Sequence, residues 1–335
     1  MRWGLASCDK PRNFGNRGQN DKQTKPNADY ALGSVDDFEF DFLDRVQKIR
    51  SMNELYHLEA KSFVSFSGGK DSTVLSELID IALPGNQIPR VYIDTGIDYK
   101  MIREFVHRKA ETDERIRIIS PARNITTMLA DVGYPFKSKE HSQKVAIFQR
   151  AGKTKTVKDY LGEGKKKNFL CPEKLRYNFT GGFPLKVSDR CCHELKKKPC
   201  AQWQEDNGRP ITITGIRQGE GGLRQSVRSC AIFADEGATV LKKFHPLLVV
   251  SGEWIDEFVR RYDVRLCELY YPPYNFRRTG CKGCPYSVDL QRQLDIMSMY
   301  LPAERKQCEL IWGKVYAEYR RIGYRLTDEP SVFDE

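Results

Sequence analysis

The run Ser67-Gly68-Gly69-Lys70-Asp71-Ser72 has the residue types and spacing of a phosphate cradle. It follows the short β-prone stretch Lys61-Ser62-Phe63-Val64-Ser65-Phe66 and precedes Thr73-Val74-Leu75-Ser76-Glu77-Leu78-Ile79, which reads as a helix. Glycines allow a tight turn, so successive N–H groups point inward and the helix N-terminus adds positive potential. Ser67, Ser72 and Thr73 offer hydroxyls, Lys70 a cation, and Asp71 a carboxylate able to hold Mg²⁺. The spacing of a Walker loop is absent.

The second constellation is sulfur. Cys281-Lys282-Gly283-Cys284-Pro285 is a Cys-x-x-Cys knuckle, and Cys191-Cys192 is an adjacent pair. Together they supply four thiolates, the number an iron–sulfur cluster or a structural zinc requires. Adjacent cysteines suit one tetrahedral zinc poorly because their side chains diverge, whereas a cuboidal 4Fe–4S cluster offers separate iron corners. The expectation is a 4Fe–4S cluster, with zinc and free thiols as alternatives. Arg190, Lys196, Lys197 and Lys198 stand ready to offset its negative charge. Cys171 and Cys200 flank the pair as substitute ligands, while Cys230 and Cys267 carry no motif. Cys308 shares one helical face with Ile311, Val315, Tyr319 and Ile322, which reads as core. His193 reads as a surface residue, and His245 has no acid or nucleophile near it in sequence.

These residues need a frame. After the first strand and a helix to about Leu83 come Val91-Tyr92-Ile93, a helix over Lys100–Glu111, and Ile116-Arg117-Ile118-Ile119. Strands alternating with helices at this pace indicate a parallel sheet of βαβ units. Ile211-Thr212-Ile213-Thr214 reads as a further buried strand, His245-Pro246-Leu247 as the start of another element, and Gly252–Val259 as a helix. Helical stretches at Asp289–Tyr300 and Ala303–Ile322 follow. Upstream, Ser34 with Asp37 resembles a helix cap, and Phe38, Phe42, Val46 and Ile49 fall on one face. The expected organisation is a loose tail over 1–33, a nucleotide-binding α/β domain over 34–250, and a C-terminal helical region over 251–335.

The chain has 335 residues, 40% hydrophobic and 30% charged, with no apolar run long enough to span a membrane. Leu5-Ala6-Ser7-Cys8 looks like a lipoprotein cleavage site, but only Met1 to Gly4 precede it. Ten cysteines in such a chain argue for metal or redox chemistry over a disulfide scaffold, and a cytoplasmic location is expected. Of the net charge of +10, seven charges fall between Lys137 and Asn168, where ten Lys/Arg face only Glu140, Asp159 and Glu163. That segment reads as an inserted, partly mobile stretch with helical patches. Its charge fits a polyanionic partner.

Ser67–Ser72 is similar to the PP-loop of ATP pyrophosphatases, which cleave ATP between the α and β phosphates. Further motifs follow in order: Asp94-Thr95-Gly96; Arg190-Cys191-Cys192 with Lys196 and Pro199; Thr214-Gly215-Ile216-Arg217 with Arg224 and Arg228; His245-Pro246-Leu247 with Trp254; and Gly280–Pro285. From Ser62 to Pro285 the chain resembles the phosphoadenosine phosphosulfate (PAPS) reductase family, in particular its cluster-bearing adenylylsulfate reductase branch. The resemblance implies an adenine-nucleotide α-hydrolase-like (HUP/Rossmann-like) α/β fold, a parallel sheet with helices on both faces. It places Ser67, Gly68, Gly69, Lys70, Asp71, Ser72 and Thr73 around the phosphates. Asp94, Thr95, Gly96 and Gly215 then lie beside the nucleotide, and Arg217 and Arg224 reach anionic groups. Lys70, Asp71 and Arg217 take the catalytic roles, and Cys191, Cys192, Cys281 and Cys284 hold the cluster.

Two departures from the reductases matter. No cysteine follows Cys308, so the mobile C-terminal nucleophile those enzymes use is missing, and the phosphate loop is intact rather than degraded. Both favour ATP. The combination is similar to ATP pyrophosphatases that put sulfur into nucleic acids, in DNA phosphorothioation and tRNA thiolation. It implies ATP, Mg²⁺ and a 4Fe–4S cluster as cofactors, DNA or tRNA docking on 137–168, and a sulfur donor such as a cysteine desulfurase. The alternatives are a PAPS or adenylylsulfate reductase whose thiol is Cys8, Cys308 or a partner's, and a non-catalytic nucleotide- and cluster-binding subunit.

Overall fold

Four short stretches of β-branched and aromatic residues lie side by side in the sheet, β1 (Ser62–Ser65), β2 (Arg90–Ile93), β3 (Ile116–Ile119) at one edge, and β4 (Ile211–Ile213). The computed structural model describes residues 37–165, 170–234, 237 and 239–327. The tail 1–33, the Ser34 cap, Cys8, Lys166, Lys167 and Asn168 fall outside them. Two further strands, β5 (Ala231–Phe233) and β6 (Leu241–Phe244), complete a six-stranded sheet in the order β3-β2-β1-β4-β6-β5. Every neighbouring pair is parallel except β5 with β6. The α/β class is as expected; the antiparallel edge strand is not. Its three residues are too few to show a period, and Ile232 is exposed. His245 follows β6 rather than opening a new element.

Ahead of β1 lie α1 (Asp37–Tyr56) and the single turn α2 (Leu58–Lys61), and α3 (Lys70–Ala82) and α4 (Lys100–Thr112) make the first crossovers. The apolar stripe of α1 buries Val46, Ile49 and Met52 and stacks Phe38 on Trp254 at 5.1 Å. Trp254 belongs to α9 (Gly252–Arg261), whose first turn is capped by Ser251 Oγ accepting from the Trp254 amide. α1, α2, α3 and α9 share one buried apolar cluster with β1, β4 and β6.

Between β3 and β4 run α5 (Ile125–Val132), α6 (Lys139–Ala151), α7 (Lys155–Tyr160) and α8 (Lys198–Asp206). α6 and α7 are the helical patches expected within 137–168. Through Lys165 the chain is folded, with His141, Ser142, Val145, Val157, Tyr160 and Leu161 buried. The lysines occupy outward positions around these few inward ones, and Gly152 and Gly162 cut the helical period short. A second buried apolar cluster joins Val145, Val157, Tyr160 and Leu161 to α10 (Leu290–Tyr300) and α11 (Pro302–Arg321), where Cys308, Val315 and Tyr319 are buried as their helical face predicts. Tyr319 packs edge-on against Phe136 at 4.8 Å. Among the described residues no helix is long and apolar enough to cross a membrane.

Candidate functional site

The connection reverses at β1: β2 and β3 lie on one side, β4, β6 and β5 on the other. Open α/β sheets bind ligands at such a reversal, beyond the carboxyl ends of the strands. Ser67–Ser72 occupies that place. Gly68 turns with φ +68°, and a Cβ there would come within 2.7 Å of the Val106 side chain. The Ser67 amide donates to Ser72 Oγ (3.2 Å), and the Gly69 amide to Ser67 Oγ (3.3 Å). Ser72 Oγ and Thr73 Oγ1 donate in turn to the Gly69 carbonyl, at 2.9 and 3.1 Å. The loop is held by its own hydroxyls.

Lys70 opens α3, and its Nζ reaches Asp256 Oδ1 of α9 at 2.5 Å. Beside it Asp71 stands 3.2 Å from Arg217 Nε, delivered by the end of β4. The two are not aligned for a hydrogen bond, so buried Asp71 Oδ1 and Arg217 Nε both retain unused capacity. Burial pushes the Asp71 carboxyl above its ordinary range, and the Arg217 guanidinium pulls it back. A buried carboxylate oxygen with hydrogen-bonding capacity to spare at a phosphate loop suits a hard cation such as Mg²⁺. Gly215 makes room for this pairing by bringing β4 against the first turn of α3. Arg224 is placed differently from a free anion receptor: with Arg278 it pairs with Glu220.

Asp94, Thr95 and Gly96 follow β2. Gly96 has φ +74°, its amide donates to Asp94 Oδ1 (3.0 Å), and Arg103 donates to Asp94 Oδ2 (2.8 Å). Thr95 Oγ1 donates to buried Asp98 (2.8 Å), which Lys196 Nζ approaches at 3.6 Å.

Cys191, Cys192, Cys281 and Cys284 line one small enclosed cavity, together with Lys196, Ile97, Tyr286 and Trp312. The four sequence-selected cysteines therefore meet, although about ninety residues separate the pairs. Burial, reinforced by the neighbouring thiols, raises Cys191, and Cys284 is pushed up to about 12. Cys281 beside Lys196 raises that lysine further. No three His, Cys, Asp or Glu among the described residues are grouped to hold a single metal ion. An all-sulfur set of four with an adjacent cation is the donor chemistry of an iron–sulfur cluster. Cys171 and Cys200 do not line this cavity. Cys308 is fully buried beside the Cys281–Cys284 turn, and burial pushes its thiol up to about 12.

Sequence reasoning missed Asp98, Asp256, Glu220 and, above all, Tyr270 and Thr279. The Lys70 amide donates to Tyr270 Oη (2.9 Å), which lies 2.5 Å from Thr279 Oγ1. Only the position of Thr279, two residues before Cys281, offered a hint.

Residues 61–287 match the family model described as the phosphoadenosine phosphosulfate reductase domain. No curated protein matches the chain significantly in sequence. Among solved structures it is similar to the PAPS reductase of Candida auris, phosphate complex, at 12% identity over 74% of this chain and 96% of that one, TM-score 0.41. It is also similar to the U34-tRNA thiolase NcsA of Methanococcus maripaludis with its 4Fe-4S cluster, at 14% identity over 89% and 84%, TM-score 0.39. The FMN adenylyltransferase of Candida glabrata is matched at 14% identity over 75% of this chain and 65% of that one, just under two thirds of its length, TM-score 0.43.

Proposed function

The chain belongs to the phosphoadenosine phosphosulfate reductase family, and from that premise we propose that it is an ATP-using, cluster-bearing member acting in sulfur transfer onto nucleic acid. The observation that carries this reading is the meeting of Cys191, Cys192, Cys281 and Cys284 in one cavity beside Ile97, which follows the nucleotide-end turn of β2. The intact loop at Ser67–Ser72 accompanies it. A sulfonucleotide reductase needs an accessible thiolate, and among the described cysteines outside the cavity Cys171, Cys230, Cys267 and Cys308 are buried and Cys200 is half-buried.

In the proposed reaction Ser67–Thr73 binds the β and γ phosphates of ATP through backbone N–H groups and hydroxyls. Lys70 would swing from Asp256 to the phosphates and Arg217 would bridge developing negative charge, while Asp71 would hold Mg²⁺, which when bound would offset the charge of the departing pyrophosphate. An oxygen of the acceptor attacks the α phosphorus, pyrophosphate leaves, and the adenylated acceptor then exchanges AMP for sulfur. Cys191, Cys192, Cys281 and Cys284 would hold the cluster, which when bound supplies an iron site able to carry sulfide. A cysteine desulfurase is a suitable sulfur donor when a thiol reductant supplies the two electrons that bring its persulfide sulfur to the sulfide level, and the basic 137–168 segment is a suitable seat for DNA or tRNA. Incubation with ATP and Mg²⁺, and separately with PAPS and thioredoxin, tests the reading. Pyrophosphate release in the first and no sulfite in the second is expected. Sulfite from PAPS would make the chain a reductase, and nucleotide binding without turnover a non-catalytic subunit.

A further inference from the structure

The segment carrying Cys281 and Cys284 is fastened to all three loops at the carboxyl ends of the central strands. Lys282 donates its amide to the Ile97 carbonyl at 3.0 Å, after β2. Arg278 donates to the Glu220 carbonyl at 2.8 Å, after β4. Thr279 meets Tyr270, and Tyr270 meets the phosphate loop itself. That third attachment differs from the others because it uses a loop donor that a phosphate would claim. The Lys70 N–H is one of the amides at the start of α3 without a partner inside the helix, the group such loops offer to anions. A Cβ on Gly69 would lie 3.2 Å from Tyr270 Oη and 3.4 Å from Thr279 Oγ1, so the hydroxyl pair sits directly against the loop.

We infer that Tyr270 is a positioning residue coupling phosphate occupancy of the Ser67–Ser72 loop to the setting of the Cys281–Cys284 segment, through its shared contacts with Lys70 N and Thr279. The inference rests on the reading of that loop as a phosphate site. Tyr270 Oη has one proton. It accepts from the Lys70 N–H and shares a hydrogen bond with Thr279 Oγ1. A phosphate oxygen in the loop would take the Lys70 N–H and accept the tyrosine proton, leaving Thr279 able only to donate to Tyr270 Oη, so that the Thr279 hydroxyl and the segment behind it must readjust. Burial pushes the Tyr270 hydroxyl up to about 12, so it remains a donor at neutral pH. The coupling is reciprocal: rearranging the cysteine segment must change nucleotide affinity by the same factor.

The test uses the full chain purified anaerobically, with ATP·Mg²⁺ as probe and the rate of amide hydrogen exchange across residues 278–284, resolved by mass spectrometry, as readout. Saturating ATP should speed exchange there about fivefold or more in the native protein, as a coupling of ordinary size requires. In Tyr270→Phe, ATP should still bind, measured by calorimetry, while exchange in the segment ignores it. Thr279→Val cuts the same link from the other end and should behave alike, which covers failure of either variant to fold. Binding with an equal exchange response in native and both variants would overturn the coupling alone. Absence of any ATP binding to the native chain would remove both the coupling and the nucleotide reading beneath it.

Discussion

A Cβ placed on Gly215 would lie 2.9 Å from the carbonyl oxygen of Asp71 and 3.4 Å from the amide of Ser72. The end of β4 therefore touches the first turn of α3 backbone to backbone, and that closeness brings Arg217, two residues on, within 3.2 Å of Asp71. Glycine is required here for space, since the contact is with main chain that cannot rotate away. Gly215→Ala should cost about 1–3 kcal/mol through overpacking. It should lower ATP cleavage about a hundredfold, because an ångström of misplacement is enough to spoil alignment. Chemical denaturation and a pyrophosphate assay check the two effects separately, and an alanine variant with native kinetics would refute the packing argument.

Asp71 offers a cleaner separation of chemistry from folding. Its carboxyl is raised by burial, so the native state carries the charge at a cost rather than a gain. Asp71→Asn keeps the shape and removes that charge. Pyrophosphate release should fall by orders of magnitude while the melting temperature holds or rises. A variant that unfolds markedly earlier than the native protein would show the residue to be structural.

Much of this frame is legible in the sequence. The strands at 62, 90, 116 and 211 are short, β-branched and bounded by turn residues, and the loop glycines announce themselves by type. The four cysteines can be grouped from sequence because thiol chemistry limits the choices. What stays hidden there depends on residues far apart along the chain. Tyr270 lies 200 positions from Lys70, and Asp256 lies 186 positions from it. Nothing in the local run Tyr270-Tyr271-Pro272-Pro273 signals a partner there. α6 and α7 are obscured for a different reason: a helix needing only three or four inward residues leaves the rest free to be lysine, and the charge drowns the period.

The cysteines make a graded set. Replacing Cys191, Cys192, Cys281 or Cys284 singly by Ser should strip or destabilise the brown chromophore and lower the iron content. Cys308→Ser should retain the iron, since Cys308 packs beside the turn without lining the cavity. A hydroxyl buried without a partner should still cost about 1–3 kcal/mol of stability there. Iron and sulfide assays after anaerobic purification decide it; stoichiometric zinc and no iron would dispose of the cluster.

The basic segment is tested by salt. Lys165, Lys166 and Lys167 changed together to Gln should weaken binding of DNA or tRNA to all sequences alike, because phosphate contacts carry little sequence information. The salt dependence should flatten by about 0.9 in logarithmic slope for each phosphate no longer neutralised. ATP cleavage should survive. Mobility-shift titrations at two ionic strengths suffice, and an unchanged slope would leave these lysines as a solvated rim.

His141 makes acid stability a readout of the α6–α7 packing. Its imidazole is fully buried, with Nε2–H donating to Asn178 Oδ1 (3.1 Å) and Nδ1 accepting from Tyr160 Oη (3.0 Å). Burial, helped by nearby Lys137, holds it down to about 3. In the unfolded chain the same ring titrates near its ordinary value of about 6.5. As pH falls, the unfolded state therefore takes up a proton that the native state refuses. The resulting stability is full above about 6.5 and drains at about 1.4 kcal/mol per unit down to the folded value. By pH 5 the loss should reach about 2 kcal/mol for this residue. His245, held by burial to about 4 against Thr214, adds a second contribution of the same sign. His141→Gln keeps a donor and an acceptor in the pocket but removes the titration. Urea midpoints at pH 7 and pH 5 should converge in this variant relative to the native protein, and an equally steep profile in both would place the acid sensitivity elsewhere.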